Sequence, residues 1–177
     1  MLPNKVYKYV NILPDNDENI EVKNLKIRLK NYGHTDTYIN GLLFSQKSTS
    51  NVLNFLNVKS NTAFYELYLN GFAEPEIYKG EELFSLEQIL ENYQSQNWIN
   101  LFPDKAIKEF KEKYPNAGER YLQFTSIEGE GSYFYDKETD YVYNVDWGQE
   151  ENMITGKLKP WFTSFYDFLE WYYSEDE

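Results

Sequence analysis

Two glutamates separated by a single glycine are the residues whose types and spacing most directly suggest chemistry. Glu128 and Glu130 lie in a Glu-Gly-Glu-Gly run that ends at Gly131. Paired carboxyl groups can act as acid and base in glycoside hydrolysis. A catalytic carboxyl also needs a desolvating pocket that raises its pKa, whereas alternating glycines are typical of a tight turn. The run therefore favours a turn with two solvated carboxylates, and a hydrolase that uses this pair is the less favoured alternative.

Three acids at alternating positions, Asp136, Glu138 and Asp140, resemble the start of a calcium-binding loop. A complete loop needs glycine at its sixth position and a bidentate glutamate at its twelfth. Those positions hold Tyr141 and Trp147. The pattern therefore predicts a hairpin turn and no calcium site.

Histidine and cysteine, the residues most often used for zinc binding and nucleophilic catalysis, are almost missing from the chain. His34 is the single histidine, and there is no cysteine. This composition excludes a structural zinc site and a thiol nucleophile. A Ser-His-Asp system would have to use His34, which lies in a polar segment beside Gly33. We therefore expect no catalytic residues, no metal, no cofactor and no enzymatic activity.

Negative charge is concentrated in the last 51 residues. They contain 13 Asp/Glu and 3 Lys, a net charge of −10, whereas the first 126 residues contain 16 Asp/Glu and 14 Lys/Arg, a net charge of −2. The acidic part also holds 14 of the 33 aromatic residues. An acidic and aromatic surface can attract a basic protein and then bury area against it. The same charge argues against nucleic acid as a partner, and a charge that serves only solubility remains the alternative.

Seven acids and one tryptophan are the predicted partner-binding residues. Trp147 lies between Asp146 and a Gln-Glu-Glu run, where it could anchor a partner. It could also fold back over the sheet edge as part of the core, and this second interpretation is the favoured one. The predicted set consists of Glu128, Glu130, Glu138, Asp140, Asp146, Trp147, Glu150 and Glu151.

The first 48 residues are predicted to be rich in β-structure. Strands are expected at 5–13, at 19–30, where Leu25, Ile27 and Leu29 alternate with basic residues, and at 38–44. Residues 46–51 are polar and indicate a boundary. We therefore expect residues 1–48 to form a β-rich extension of the same domain, with an α+β core over residues 49–177.

Helices and a meander are predicted in this core. Helices are expected at 61–69, at 84–93, where Ser85 and Gln88 form a capping box, from Pro103 to just before Pro115, and at 164–173. Strands are expected at 120–127, 132–136 and 141–146, and a mobile loop at 148–159. The predicted fold is a single α+β domain whose antiparallel sheet contains a C-terminal three-strand meander flanked by helices.

The N-terminal residues and the hydropathy pattern bear on where the protein acts. Residues 1–13 lack a basic segment followed by an apolar run and a cleavage site. No stretch approaches the roughly 20 apolar residues that span a bilayer. With the absence of cysteine, these features lead us to expect a cytoplasmic protein with no membrane partner.

Four stretches of the chain resemble the SUKH superfamily, the group of fungal cell-wall-synthesis regulators and bacterial toxin-immunity proteins. They are FYELYLNGF (64–72), GEELFSLEQILEN (80–92), YLQFTSIEGEGSYFYDKETDYVYNVD (121–146) and TSFYDFLEWYY (163–173), so that the resemblance covers about residues 50–173. It implies an α+β fold without catalytic residues and a non-enzymatic role as an immunity protein that neutralises a basic toxin, often a nuclease. A regulatory or scaffold protein that binds an endogenous partner or a small molecule is the alternative.

Overall fold

The computed structural model describes residues 1–73, 77–96, 98–99, 104–126 and 131–174 of the chain. These residues form an α+β fold, as the sequence predicts. In chain order the elements are a 3₁₀ helix (Asn4–Lys8), β1 (Val10–Ile12), α1 (Ile20–Asn31), α2 (Asp36–Gly41), α3 (Gln46–Phe55), α4 (Ala63–Asn70), β2 (Gly71–Ala73), β3 (Ile77–Tyr78), β4 (Glu81–Glu82), α5 (Leu86–Ser95), α6 (Asp104–Lys113), α7 (Ala117–Arg120), β5 (Tyr121–Gln123), β6 (Gly131–Asp136), β7 (Val142–Asp146), α8 (Glu150–Ile154) and α9 (Phe165–Tyr172).

The predicted three-strand meander is confirmed as the antiparallel sheet β5-β6-β7. Leu122 lies opposite Tyr135, and Phe134 lies opposite Tyr143. Short segments occupy both edges of this sheet. A bridge joins Leu83 to Thr125 beside β5, and a second bridge joins Val142 to Phe162 beside β7. These bridges satisfy backbone groups that an open edge would expose.

Both faces of the three-strand sheet are buried, because successive side chains of a strand point to opposite sides. Tyr135 belongs to the larger core, where its ring stacks on Phe64 at a centroid distance of 4.3 Å and meets Phe165 edge-on. Phe134, the residue before it, belongs to a second core and meets the Trp98 ring edge-on at 5.3 Å. Helices α4 and α9 cover the first face, and α6 and α8 contribute to the cover of the second.

The predicted strand at 19–30 is wrong, because this segment forms α1. The Asn19 side chain caps the helix by accepting a hydrogen bond from the Glu21 backbone N–H. Val22 is buried, and Leu25 and Leu29 pack against the same small core, whereas Ile27 is exposed. The spacing of three and four residues between Val22, Leu25 and Leu29 is that of a helix face, and it prevails over the alternation that includes Ile27.

The predicted strand at 38–44 is also wrong, whereas the predicted strand at 5–13 is confirmed only over β1, since a 3₁₀ helix occupies Asn4–Lys8. Helix α2 occupies most of the predicted strand at 38–44, and α3 begins at the polar segment that indicated a boundary. Ser45 and Ser48 form a capping box at the start of α3, and Thr49 is buried in the helix. Polar residues here cap a helix and do not form a linker.

The first thirteen residues pack directly into the larger core through Leu2, Val6 and Val10. Strand β1 pairs with β2, and Val10 lies close to Gly71 across this pair. A Cβ atom at Gly71 would lie 2.7 Å from Val10 Cβ, so that only glycine allows this approach at the end of α4.

Several helices are confirmed close to their predicted positions. Ser85 and Gln88 form the predicted capping box of α5, in which the Ser85 N–H donates to Gln88 Oε1 at 2.8 Å. Helix α6 ends at Lys113, before Pro115. Helix α9 lies within the predicted range 164–173 and buries Phe165, Phe168, Leu169 and Tyr172. The predicted mobile loop at 148–159 is wrong in part, since it contains α8.

A buried ion pair joins α7 to the turn between β6 and β7. The Asp136 side chain is fully buried and accepts hydrogen bonds from Arg120 Nε at 2.9 Å and Nη2 at 2.7 Å. Thr139 Oγ1 and the Glu138 backbone N–H also donate to it. Burial would raise the pKa of Asp136, but these hydrogen bonds and the Arg120 charge outweigh it and lower the pKa. The carboxylate is therefore both charged and satisfied.

Two lysines tie the same turn to the end of α3. Lys137 is buried, and its Nζ donates to the Leu56 backbone carbonyl at 2.5 Å. Lys59 Nζ donates to the Glu138 backbone carbonyl, also at 2.5 Å. The turn is thus held from two sides, by α7 and by the residues that follow α3.

Asp136→Asn should lower the free energy of unfolding by about 3–5 kcal/mol, because it leaves the Arg120 guanidinium without its bidentate acceptor. Glu138→Gln is the matched control: Glu138 pairs with Arg120 Nη1 at 2.8 Å, but its side chain is 66% exposed. Its cost should stay below about 1 kcal/mol. Urea unfolding followed by circular dichroism measures both, and equal costs would show that the buried carboxylate has no special role.

Candidate functional site

The structure places the described members of the predicted partner-binding set at two opposite ends of the meander. Glu138 and Asp140 lie in the turn between β6 and β7. Asp146 ends β7, and it pairs with Gly131 at the start of β6. Strand β6 separates these ends by about 17 Å, at about 3.3 Å per residue. Glu128 and Glu130 lie outside the described residues.

The two acids of the β6–β7 turn take part in contacts within the chain. Glu138 forms the ion pair with Arg120. Asp140 is half-buried and accepts a hydrogen bond from the Tyr135 hydroxyl at 3.0 Å. Burial raises the pKa of Asp140, although the Tyr135 hydroxyl and the Phe165 backbone N–H partly offset this effect. These carboxylates hold the turn against its neighbours, so they offer a partner less than solvated charges would.

Glu151 is likewise engaged, in a contact between α8 and α6. It forms an ion pair with Lys113 and accepts a hydrogen bond from the Tyr114 hydroxyl at 2.6 Å. Both hydrogen bonds lower the pKa of the Glu151 carboxyl. Glu151 is exposed, but its charge is matched by a neighbouring cation.

The charge asymmetry of the sequence is therefore partly cancelled in space. Cations from the first 126 residues pair with acids from the last 51, so that folding brings opposite charges together from distant positions. The pairs among the described residues are Arg120 with Asp136 and Glu138, Lys113 with Glu151, and Lys5 with Glu170. The described acids of the last 51 residues therefore do not form a continuous surface of free carboxylates.

Asp146 and Trp147 remain accessible at the end of β7. Asp146 is exposed and, within the described ranges, forms no ion pair. The Trp147 side chain is 49% exposed and belongs to none of the buried clusters. The interpretation of Trp147 as core is therefore wrong, and the tryptophan is available for contact.

A small pocket opens beside Trp147. Six of the residues that line it are buried, whereas Gly131 and Trp147 are not, so that these two form its mouth. The lining residues are Trp98, Gln123, Gly131, Ser132, Phe134, Val145, Trp147 and Glu150.

A hydrogen-bonded polar network forms one wall of this pocket. Gln123 Nε2 donates to Ser132 Oγ at 3.1 Å, and Ser132 Oγ donates to the Thr125 carbonyl at 3.0 Å. The Thr125 hydroxyl in turn accepts from the Tyr133 backbone N–H at 2.9 Å. Sequence reasoning missed Gln123 and Ser132. The available signal was their polar character at strand positions whose neighbours are apolar.

Glu150 contrasts with this satisfied network. The residue is only 8% exposed, and its Oε2 atom has no hydrogen-bond partner among the described residues. Burial raises the pKa of Glu150, and the backbone N–H groups of Glu150 and Gly148 offset this only in part. The sequence predicted an exposed charge here, whereas the structure has a buried carboxyl that lines the pocket. A buried polar atom without a partner costs stability, and residues kept at such a cost are candidates for function.

Comparisons with known proteins identify no relative. No protein-family model, curated protein or solved structure matches the chain. In the described ranges, no group of three or more histidine or acidic residues is arranged to hold a metal ion. None of the helices described has the length and apolar character required to cross a bilayer.

Glu150→Gln should stabilise the protein at neutral pH by about 1 kcal/mol, because it removes the cost of burying a charge without a full set of partners. The raised pKa means that the folded chain holds this proton more tightly than the unfolded chain. The destabilisation by the buried Glu150 carboxylate is therefore complete above its folded-state pKa, and it disappears below the unfolded-state pKa of about 4.3. Thermal unfolding at neutral pH and at about pH 3.5 measures both limits.

Glu151→Gln provides the control for this stability measurement. It removes an exposed charge that is paired with Lys113, so that the variant should be slightly less stable than the parent at neutral pH. A Glu150→Gln variant that is also less stable than the parent at neutral pH would show that the Glu150 carboxylate is satisfied in the native state.

Proposed function

We propose that this chain is a non-enzymatic cytoplasmic binding protein of the immunity type, which neutralises a basic toxin by covering its surface. The observation that carries the proposal is the end of β7, where half-exposed Trp147 follows exposed Asp146 at the mouth of a pocket lined by Glu150. Together these residues offer negative charge and aromatic area to a cationic partner. The resemblance to the SUKH superfamily supports the same function.

Electrostatic attraction and an aromatic anchor have separate tasks in this proposal. The net charge of −12 attracts a basic partner over long range and raises the association rate. Trp147 supplies contact area after docking, because tryptophan is among the side chains that contribute most to binding energy. A nuclease fits such a surface, since enzymes that act on nucleic acid present basic grooves.

The proposed contact surface is narrower than the set predicted from sequence. Glu138, Asp140 and Glu151 are engaged within the chain, so the surface is centred on Asp146, Trp147 and the pocket beside them. Glu128 and Glu130, which precede β6, remain predicted members of it.

A regulatory or scaffold protein is the second candidate function. A groove between β1 and α1 favours it, since apolar residues such as Leu25 and charged residues such as Glu21 and Arg28 together line a surface that could receive an endogenous ligand. The genomic neighbourhood separates the two functions. A toxin gene directly beside the gene for this chain supports immunity, and its absence supports regulation.

Trp147→Ala should weaken binding to the product of that adjacent toxin gene by about 30-fold, mainly through faster dissociation, because the anchor is lost. Asp146→Lys should slow association and reduce its dependence on salt. Stopped-flow association and dissociation rates at two ionic strengths measure both effects.

Trp161→Ala is the matched control for the binding experiment. Trp161 is a second exposed tryptophan, with 60% of its surface accessible, and it lies beside Val142 at the other end of β7. Its replacement should change affinity by less than about threefold, as expected for residues outside the energetic centre of an interface. Loss of affinity in Trp161→Ala with none in Trp147→Ala would place the interface elsewhere.

A further inference from the structure

We infer that the pocket beside Trp147 receives the ammonium group of a lysine on the basic partner, with the Glu150 carboxylate as its counter-ion. This inference rests on the function proposed above, because it names the chemical group that the partner inserts at the same surface. It also predicts a property of the isolated chain, namely selective binding of a small primary ammonium ion.

Glu150 differs from the other buried charges of the described residues by its lack of a full set of partners. Three charged side chains are buried there. Asp136 is paired with Arg120, and Lys137 donates to the Leu56 carbonyl. Glu150 Oε2 has no hydrogen-bond partner in the part of the chain that the structure describes. A cation that enters the pocket supplies the missing charge and the missing donor together.

The size of the pocket selects the kind of cation. Its cavity volume is about 20 Å³, and about 10–15 Å³ is enough for one water molecule. An ammonium group is compact and comparable in size to water, whereas the guanidinium of arginine is a larger planar fork. The cavity therefore fits the end of a lysine side chain better than the end of an arginine.

The chemistry of the lining residues suits an ammonium group. Such a group has three donors and no acceptor, and three of the lining residues, Glu150, Gln123 and Ser132, carry side-chain oxygens. Trp98 and Trp147 line the same pocket, and an indole face attracts a cation. The methylene stem of a lysine can cover the exposed part of Trp147 while its charged end lies inside.

Methylammonium chloride is the probe for the ammonium site, because it carries the charged end of lysine without the rest of a partner. Titration into the full chain should shift the indole N–H signals of Trp98 and Trp147 in ¹H–¹⁵N spectra. For a ligand with so few atoms, the dissociation constant should be on the order of 10 mM. Sodium chloride at the same ionic strength should leave these signals in place. Guanidinium and tetramethylammonium should bind at least about fivefold more weakly, because they exceed the cavity.

Two variants separate the buried carboxylate from general attraction by the acidic surface. Glu150→Gln should weaken methylammonium binding at least about tenfold, whereas Glu138→Gln, which removes an exposed charge at the opposite end of the meander, should change it by less than about twofold. Thermal unfolding confirms that both variants are folded. Equal losses in the two variants or equal binding of guanidinium would overturn the inference, because binding would then not depend on Glu150 or on the size of the pocket. The absence of a saturable shift would also overturn it, because the pocket would then hold at most a water molecule.

These outcomes are distinct from a failure of the proposed function. If methylammonium does not bind but Trp147→Ala and Asp146→Lys still weaken partner binding, the ammonium site is wrong and the binding function stands. If methylammonium binds as expected but neither variant affects a basic partner, the site stands and the immunity function is wrong.

Discussion

Burial of the three-strand sheet on both faces determines which parts of this sheet can contact another molecule. Aromatic side chains fill one face through Tyr135 and Phe64 and the other through Phe134 and Trp98. Segments around Leu83 and Phe162 bridge the two edges. Another molecule can therefore contact the sheet at its two ends, and these ends differ in how far their polar groups are paired within the chain. Ion pairs and backbone contacts close the end at the β6–β7 turn. At the other end, Asp146 and Trp147 are exposed, and Glu150 Oε2 has no hydrogen-bond partner among the described residues.

Folding brings together opposite charges that lie far apart in the sequence. Arg120 and Lys113 precede residue 127, yet they neutralise acids that follow it. The net charge of −12 is unchanged by this pairing, so that long-range attraction of a cation persists. Short-range recognition is confined to a few groups. An acidic protein can thus attract a partner with its whole charge and recognise it with a small part of its surface.

Local capping and strand signals predicted much of the second half of the fold. The capping box of Ser85 and Gln88 and the apolar stripe of α9 were readable because the chemistry lies within a few residues. The first half of the fold was predicted incorrectly for two reasons. Ile27 completes an apparent alternation of apolar and basic residues in a segment that is a helix, and Ser45 caps a helix where a boundary was expected. Asp146 and Trp147 were predicted members of the candidate site, although the favoured interpretation of Trp147 as core was wrong. The buried part of the site was not predicted, since Gln123, Ser132 and Glu150 meet only through the pairing of β5, β6 and β7 and the position of α8.

The lysines that join the end of α3 to the β6–β7 turn also couple these two segments in local unfolding. Lys59, which follows α3, donates to the Glu138 carbonyl in the turn, and Lys137 in the turn donates to the Leu56 carbonyl at the end of α3. These contacts join segments about eighty positions apart in the chain. If the end of α3 unfolds, the buried Lys137 ammonium loses its acceptor, and the turn loses its contact with the helix at the same time. Helix end and hairpin thus belong to one cooperative unit, and their amide protons should exchange with deuterium at matching rates.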